Sequence, residues 1–530
     1  MAPPHGGMME VPRPVSNANL TNLTEEELQA LNPKFPYMPV DSENKGKQLK
    51  IWSFAAPHMR AFHLSWIGFM QAFISTFSAA PMGPVIRDSL SLTKKELANA
   101  GIATVTAVVF MRVAMGPICD KLGPRYGMAG LLLIFAPATL CLGLTNDGTN
   151  FLIARMFIGI TLATFVTCQY WNSIMFNNRV VGLANATAGG WGNLGGGITQ
   201  FLMPLLFTAV NSSSGLIFRS WRYAMLIPGS LQICAGTAIL YLGQDMPGGQ
   251  YRFMKKTGQL EDKSVLQIFK LGVLNYRMWV LVILYAFCFG VELTMNEIAA
   301  TYFFDYFGVN LKVAGAIASS FGLMNLFARS IGGGLSDWAS RKFGMRGRLW
   351  NLWALLFLEG MMCIGMGQLN KSLAGTITFM ILFSLFVQAS EGATYGVVPF
   401  TSARCMGIIA GFVGAGGNAG ASVNLAIWFR SAKYETYEGI TYMGILIVCV
   451  SMLTFTLHFP PWGSMLFGPT KGVTEKDYFL REFTADEIAD GKDQKVAKWI
   501  LNSESERPPS IRTEVPAEEE DDAEKAEEKK

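Results

Sequence analysis

Long apolar segments alternate with short polar turns along most of this chain. A helix that crosses a membrane needs about 20 mainly apolar residues. About twelve segments meet that requirement, over 62–86, 97–117, 127–145, 151–176, 181–209, 222–243, 278–300, 313–334, 349–368, 374–398, 405–429 and 441–463. Most connections are turn-like, such as TNDGTN at 145–150. One connection breaks the rhythm: 244–277 is charged and less apolar, and it divides the set into two halves of six. The pattern predicts an all-α membrane protein with an arm over 1–61, one half over 62–243, a linker over 244–277, a second half over 278–463 and a tail over 464–530.

Basic residues in short loops set orientation. Lys121, Arg125, Arg179, a cluster from Arg252 to Arg277, and Arg341, Lys342, Arg346 and Arg348 lie on one side. Arg87, Lys94 and Lys95 lie in the first loop of the poorer side. Both termini, with the arm, linker and tail, are therefore expected in the cytoplasm. The start, MAPPHGGMMEVPRPVSNANL, lacks a basic end followed by an apolar stretch, so it does not read as a signal peptide. The tail ends in PAEEEDDAEKAEEKK, an acidic run that cannot bury a core and is expected to be disordered.

Composition agrees with a lipid environment. Of 530 residues 51% are hydrophobic and 15% charged, against about 25% charged in a soluble domain. The net charge of +4 and the lack of a basic, aromatic-interleaved face argue against nucleic acid as a partner. Eight cysteines are scattered singly, with no CxxC and no histidine partners, so neither a disulfide framework nor a metal or other cofactor is expected. No nucleophile–base pair suggests an enzyme.

The two halves repeat each other. Arg112, Gly116 and Asp120 stand four apart in the second segment, and Arg329, Gly333 and Asp337 repeat the spacing in the eighth. Gly192-Asn193-Leu194-Gly195 in the fifth segment recurs as Gly417-Asn418-Ala419-Gly420 in the eleventh. Elements that return six segments later imply halves related by an axis along the membrane normal, the major facilitator architecture.

Arg112 and Arg329 are the leading chemical candidates. An arginine at the bilayer centre costs at least about 2.5–3.5 kcal/mol on insertion scales. Each lies eight residues deeper than its aspartate, roughly 12 Å along the helix axis and near the middle of a core about 30 Å thick. Two guanidiniums without a nearby acid would form an anion site, and their planar forks suit a planar oxyanion. The competing reading pairs each arginine with backbone carbonyls or with an acid such as Glu292.

The glycines Gly189, Gly190, Gly192 and Gly195, with Gly414, Gly416, Gly417 and Gly420, read mainly as close helix packing. The GxGxxG spelled by Gly190, Gly192 and Gly195 is no dinucleotide site, since no strand precedes it. Asn193 and Asn418 could donate to an anion or bridge helices. The loop GPICDKLGPRYG at 116–127 resembles the signature loop of major facilitators, in which Asp120 and Arg125 would latch a cytoplasmic gate; Asp337 marks a weaker copy at 332–344.

Taken together, PHMRAFHLSW at 57–66, both Gly-Asn runs, LFARSIGGGLSD at 326–337 and FGMRGRLW at 343–350 resemble the nitrate/nitrite porter family, in its plant and algal high-affinity branch. The resemblance implies that Arg112 and Arg329 clamp nitrate, with Phe77, Phe165, Tyr285 and Phe289 as pocket walls. It also implies uptake across the plasma membrane and a small single-span accessory membrane protein as partner. Glu391, in SEGATYG, departs from the small neutral residue expected there.

Energetics favour proton coupling. Importing an anion against an inside-negative potential costs about 2.3 kcal/mol per 100 mV, whereas symport with two protons reverses the sign of the moved charge. Glu292 is the first candidate proton carrier, followed by Glu391 and Glu359. The rivals are a nitrate/nitrite exchanger, and a nitrate sensor signalling through the tail, where Ser503, Ser505 and Ser510 are candidate phosphorylation sites.

Overall fold

The computed structural model of the chain describes residues 37–508, apart from 41–43, 178–179, 252–264, 403, 432 and most of 490–505. Twelve long helical segments run back and forth: α1 His58–Phe77, α2 Lys94–Leu122, α3 Pro124–Leu144, α4 Gly148–Met175, α5 Val181–Ser214, α6 Ile217–Leu242, α7 Tyr276–Phe307, α8 Leu311–Phe343, α9 Met345–Gln368, α10 Leu373–Phe400, α11 Met406–Phe429 and α12 Thr436–Thr456. Eleven of them, α2 to α12, are long and apolar enough to cross a membrane. His58, Arg60, His63 and Gln71 leave α1 more polar than the rest.

Local sequence sets the helix starts at one face of the bundle. Thr93 caps α2 in a reciprocal box with Glu96, and Glu435 caps α12 with Glu438. Asp147, Asn310 and Ser372 cap α4, α8 and α10 by accepting from backbone N–H groups at 2.9, 3.0 and 3.1 Å. Each cap satisfies a donor that the first helical turn leaves free. At the opposite face, which carries the tail, α2 and α8 end on Gly123 (φ 87°) and Gly344 (φ 66°), a backbone shape that only glycine adopts cheaply.

Helix pairings reproduce the internal repeat. α1 packs on α5 as α7 does on α11, α2 on α4 as α8 on α10, and α3 on α6 as α9 on α12. Between the halves, α2 meets α11 and α5 meets α8, which are the same contact after a half-turn. The α5–α8 crossing is backbone on backbone: a Cβ on Gly322 would lie 2.3 Å from the Gly197 nitrogen. Small residues at this contact permit an approach that larger ones prevent.

At the capped face two ion pairs join the halves. Arg87 grips Asp305 through two bonds of 2.7 and 3.2 Å, and Arg155 meets Glu297 at 2.5 Å. At the tail-bearing face, the described pairs Arg125–Asp245 and Arg348–Asp337 each stay within one half.

Three expectations need correction. The first segment is not one helix over 62–86: Pro81 and Pro84 interrupt it, leaving a 3-10 turn at Ala80–Met82 and a short helix at Gly83–Ser89. The last helix stops at Thr456, ahead of Pro460 and Pro461, and turns into a small hairpin pairing His458–Phe459 with Gly463–Ser464. The tail is not disordered from 464 onward. Short helices at Glu475–Leu480 and Ala485–Ala489 follow the hairpin, and Tyr478 and Phe479 are buried against Trp462. The tail reaches the transport helices through charge. Arg348 holds the fully buried Glu506 by bonds of 2.7 and 3.1 Å, and Ser340 donates to the same carboxylate. Arg404 grips Glu487 and holds that carboxyl down at about 2, so its contribution to docking is fully present above the ordinary carboxylate range and is lost only as pH falls through about 2. Ser503 is buried rather than exposed. Ser505, Ser510, Arg179 and the acidic run lie outside the described residues.

Two stability predictions follow from these contacts. Gly322→Ala should cost about 1–3 kcal/mol by forcing α5 and α8 apart, while Gly334→Ala, with open space around it, should be neutral or gain up to about 1 kcal/mol of helix propensity. Truncation after residue 508 should leave the melting temperature of the detergent-solubilised protein unchanged. Truncation after residue 490 should lower it, because Arg348 then loses the buried Glu506.

Candidate functional site

The chain breaks its helices beside Arg112 and Arg329. α4 tightens to a 3-10 turn at Ile160–Ala163, α7 is interrupted at Phe287–Cys288, and α8 has a 3-10 turn at Met324–Leu326. Irregular backbone at membrane depth is tolerated when protein groups take up the freed polar atoms. Arg112 does so: its Nη1 donates to the Gly414 carbonyl of α11 at 2.5 Å, and its Nη2 to the Leu162 carbonyl of α4 at 3.5 Å.

Arg329 is held differently. It forms an ion pair with Glu391 of α10 and donates from Nη2 to the Tyr285 hydroxyl at 2.7 Å. The expectation that neither arginine has an acid nearby is therefore overturned for Arg329. The reason is the desolvation cost of a guanidinium at this depth, which a carboxylate in contact offsets. The competing reading of carbonyl and acid partners describes the observed contacts, with Glu391 in the place suggested for Glu292.

Four aromatic rings surround the two guanidiniums. Arg112 Cζ lies 4.9 Å from the Phe165 ring centre and 5.0 Å from that of Phe289. Arg329 Cζ lies 6.0 Å from the same Phe165 ring. Phe289 stacks on Tyr285 at 5.3 Å, and Tyr395 stands edge-on to both Phe165 and Tyr285. One arginine from each half thus meets at one ring, with stabilisation of about 0.5–2 kcal/mol for each cation–ring contact. Phe77 is not part of this box. It packs on Phe73, which packs on Phe69, which in turn meets Phe165.

From the arginines toward the capped face runs a buried polar chain. Asn193 donates to Glu292 at 3.2 Å and to Glu391 at 3.4 Å, so one amide joins both carboxylates. Asn325 donates to the other oxygen of Glu292 at 2.8 Å. Glu292, Glu391, Asn193 and Asn418 are all fully buried. Neither polar atom of the Asn418 side chain has a hydrogen-bond partner, nor has Oδ1 of Asn193. Glu359 is buried on α9 with neither carboxylate oxygen bonded.

The glycines divide by what they touch. A Cβ on Gly189 would lie 3.5 Å from Arg329 Nε, and one on Gly414 3.2 Å from Arg112 Nη1, so these two leave room at the guanidiniums. Gly190 sits against the Asn325 carbonyl, Gly192 against Phe69, and Gly195 against the Met70 carbonyl. Gly416, Gly417 and Gly420 let α11 touch α7 at Val282, Phe289 and Ala286. The loop acids and bases are bound locally. Asp120 accepts from Tyr170 at 2.7 Å, Arg125 donates to the Leu240 carbonyl at 3.0 Å, and Asp337 pairs with Arg348 at 2.7 Å.

Three residues outside the sequence reading matter here. Tyr395 stands four residues after Glu391 and so shares its helix face, a spacing that could have revealed it. Arg155 and Glu297 are single charges inside apolar segments, which is itself a signal of function or pairing. Among the described residues no group of three metal-ligating side chains occurs.

Comparison with known proteins identifies the family and the fold. Residues 65–424 match the Major Facilitator Superfamily. Nitrate transporter 2.1 of Chlamydomonas reinhardtii is 44% identical over 507 residues, covering 94% of this chain and 92% of its own. High affinity nitrate transporter 2.5 of Arabidopsis thaliana is 46% identical over 471 residues, covering 89% and 94%. Among solved structures, an inward-facing, unoccupied bacterial homolog to the human lysosomal transporter Spinster superposes with a TM-score of 0.57 at 15% identity, over 76% of this chain and 97% of that one. That last likeness concerns the fold alone. The relatives are transporters and not enzymes, and this multi-pass membrane protein belongs to the Major Facilitator Superfamily, in the family of plant and algal high-affinity nitrate transporters.

Proposed function

We propose that this protein imports nitrate across the plasma membrane by proton-coupled symport with alternating access, its termini in the cytoplasm. Nitrate is held between Arg112 and Arg329. The observation that supports the reading most is the meeting of two guanidiniums, one from each half, at the Phe165 ring. An anion bridging them ties the halves together at the midplane and makes rocking depend on occupancy. Flat aromatic walls suit a flat, weakly hydrated anion. A small single-span accessory membrane protein, implied by the family resemblance, is the proposed partner.

Coupling arises from competition for Arg329. Its guanidinium is bound to Glu391, and an incoming anion seeks the same donors. A proton on Glu391 cancels the carboxylate charge and leaves Arg329 to nitrate. When nitrate departs, Arg329 again favours the ionised acid, and the proton leaves. Asn193 links Glu391 to Glu292, which gives a second proton a place in the same network. Two protons with one nitrate carry net positive charge inward, so each 100 mV of inside-negative potential then contributes about 2.3 kcal/mol.

The substrate assignment is tested by thermal unfolding of the purified protein with nitrate, nitrite, chloride and phosphate. Nitrate at about 100 times its dissociation constant should stabilise by roughly 2.7 kcal/mol, phosphate should not, and Arg112→Lys and Arg329→Lys should each abolish the shift. An unchanged shift in both variants would remove the clamp. The coupling assignment is tested by Glu391→Gln and Glu292→Gln. Nitrate should still raise the melting temperature of Glu391→Gln, while the nitrate-evoked inward current should be lost; an undiminished current in both variants would contradict proton carriage here. A nitrate/nitrite exchanger would instead show electroneutral flux indifferent to pH.

A further inference from the structure

Away from the two arginines, residues of both halves line a cavity of about 200 Å³ at the capped face, which is the outer face in the proposed orientation. Three cations and three acids line it. Arg155 comes from α4, Arg87 from the short helix before α2, and Lys94 from the start of α2. Glu297 and Asp305 come from α7, with Tyr302 and Tyr306, and Glu435 precedes α12. Formal charge is balanced, three against three.

Arg155 and Glu297 sit at its inner side. Their side chains are only 3% and 8% exposed. Arg155 spans α1 and α7: Nη1 donates to the Thr76 carbonyl and Nη2 to Glu297 Oε1, each at 2.5 Å. Glu297 also lines the cavity, and the α2 backbone comes so close that a Cβ on Gly101 would lie 3.3 Å from its Oε2. Two turns further along α4, Leu162 gives its carbonyl to Arg112. The pair therefore stands between the outer cavity and the nitrate clamp. On α7, Glu297 is five residues from Glu292, about 7.5 Å along the axis.

From this geometry we infer that Arg155 and Glu297 form an outer gate that doubles as a first capture site for nitrate, opened by a proton on Glu297. The proton passes from outside water to Glu297 Oε2, the ion pair becomes a neutral acid beside a free guanidinium, and the lining gains one net positive charge. Nitrate then binds the freed Arg155 and restores the balance. The inner of the two bridges between the halves is broken in the same step, and the cavity deepens toward Arg112, with Arg87–Asp305 left at its rim. The inference rests on the proposed symport and supplies its order: proton first, anion second.

The test uses the full chain in cells, with native cysteines replaced and Leu162→Cys as reporter. Labelling by a membrane-impermeant thiol reagent, expressed relative to Glu297→Gln at the same pH because the reacting thiolate becomes scarcer in acid, should accelerate as external pH falls. Glu297→Gln, which mimics the protonated acid, should label faster than the parent at neutral pH and converge with it in acid. Asp305→Asn, which leaves the Arg155–Glu297 pair in place, should retain the pH dependence. Arg155→Gln should raise the external nitrate concentration for half-maximal uptake more than it lowers the maximal rate. Labelling independent of pH in the parent, or equal in the parent and Glu297→Gln across the range, overturns the gate. A nitrate-induced thermal shift in the purified parent alongside that result would mean the gate fails alone; no shift would mean the nitrate reading fails as well.

Discussion

A guanidinium in the middle of a membrane protein must find a counter-charge or a set of carbonyls, and the architecture around the candidate site follows from that requirement. Arg329 reaches Glu391 because α8 and α10 touch backbone to backbone. A Cβ on Gly392 would lie 2.1 Å from the Arg329 carbonyl, and one on Gly332 2.0 Å from that of Ala389. Any larger residue at either glycine would withdraw the acid from the base. Arg112 has no acid bonded to it, and its carbonyl partners exist because α4 tightens to a 3-10 turn beside it and Gly414 brings the α11 backbone within reach. Breaking a buried pair by removing one partner costs about 3–5 kcal/mol, so the glycines, the helix breaks and the charges form one interdependent set.

The internal repeat is faithful in its helices and unfaithful in its chemistry. Both halves carry an arginine eight residues before an aspartate, and the helix pairings described above match. Only the C-terminal half places a carboxylate on its arginine. In the proposed cycle this asymmetry divides the labour: Arg112 offers a charge whose carbonyl partners do not titrate, while Arg329 offers one that a proton can release. A site with two identical halves would bind an anion but would have no reason to take a proton with it.

Much of this was readable from sequence, for physical reasons. Segment length and apolarity mark spanning helices because the bilayer demands them, and the repeated spacing of Arg112 and Arg329 from their aspartates marks them as equivalent positions of the two halves. Glu391 was visible as an anomaly, a carboxylate where a small neutral residue was expected, but its partner was not. Contacts 62 residues apart in the chain, such as Arg329–Glu391, depend on which helix faces touch, and apolar periodicity is weak in helices surrounded by lipid on one side and protein on the other. The tail misled because composition alone separates its last acidic run from the rest poorly. Tyr478, Phe479 and Trp462 supply the apolar anchor that a disordered segment lacks, and Glu506 is held by Arg348 and Ser340, which no local pattern announces.

α7 connects these observations. It carries Tyr285 and Phe289 at the clamp, Glu292 in the buried carboxylate chain, and Glu297 and Asp305 in the bridges to the other half. Its backbone is interrupted between the first of these groups and the rest, at Phe287–Cys288. A continuous helix would move all five groups as one rod, so that opening the outer bridges would also displace the clamp. With the interruption, Tyr285 can stay bonded to Arg329 while the segment Phe289–Phe307, with the Phe289 ring, tilts away from Arg87 and Arg155. Independent movement of that kind fits the proposed alternating access: an outer barrier that opens while the Tyr285–Arg329 bond holds. The break is also where Gly416, Gly417 and Gly420 bring α11 closest to α7, so the hinge rests against the helix whose Gly414 holds Arg112, and both arginines are referred to the same pivot.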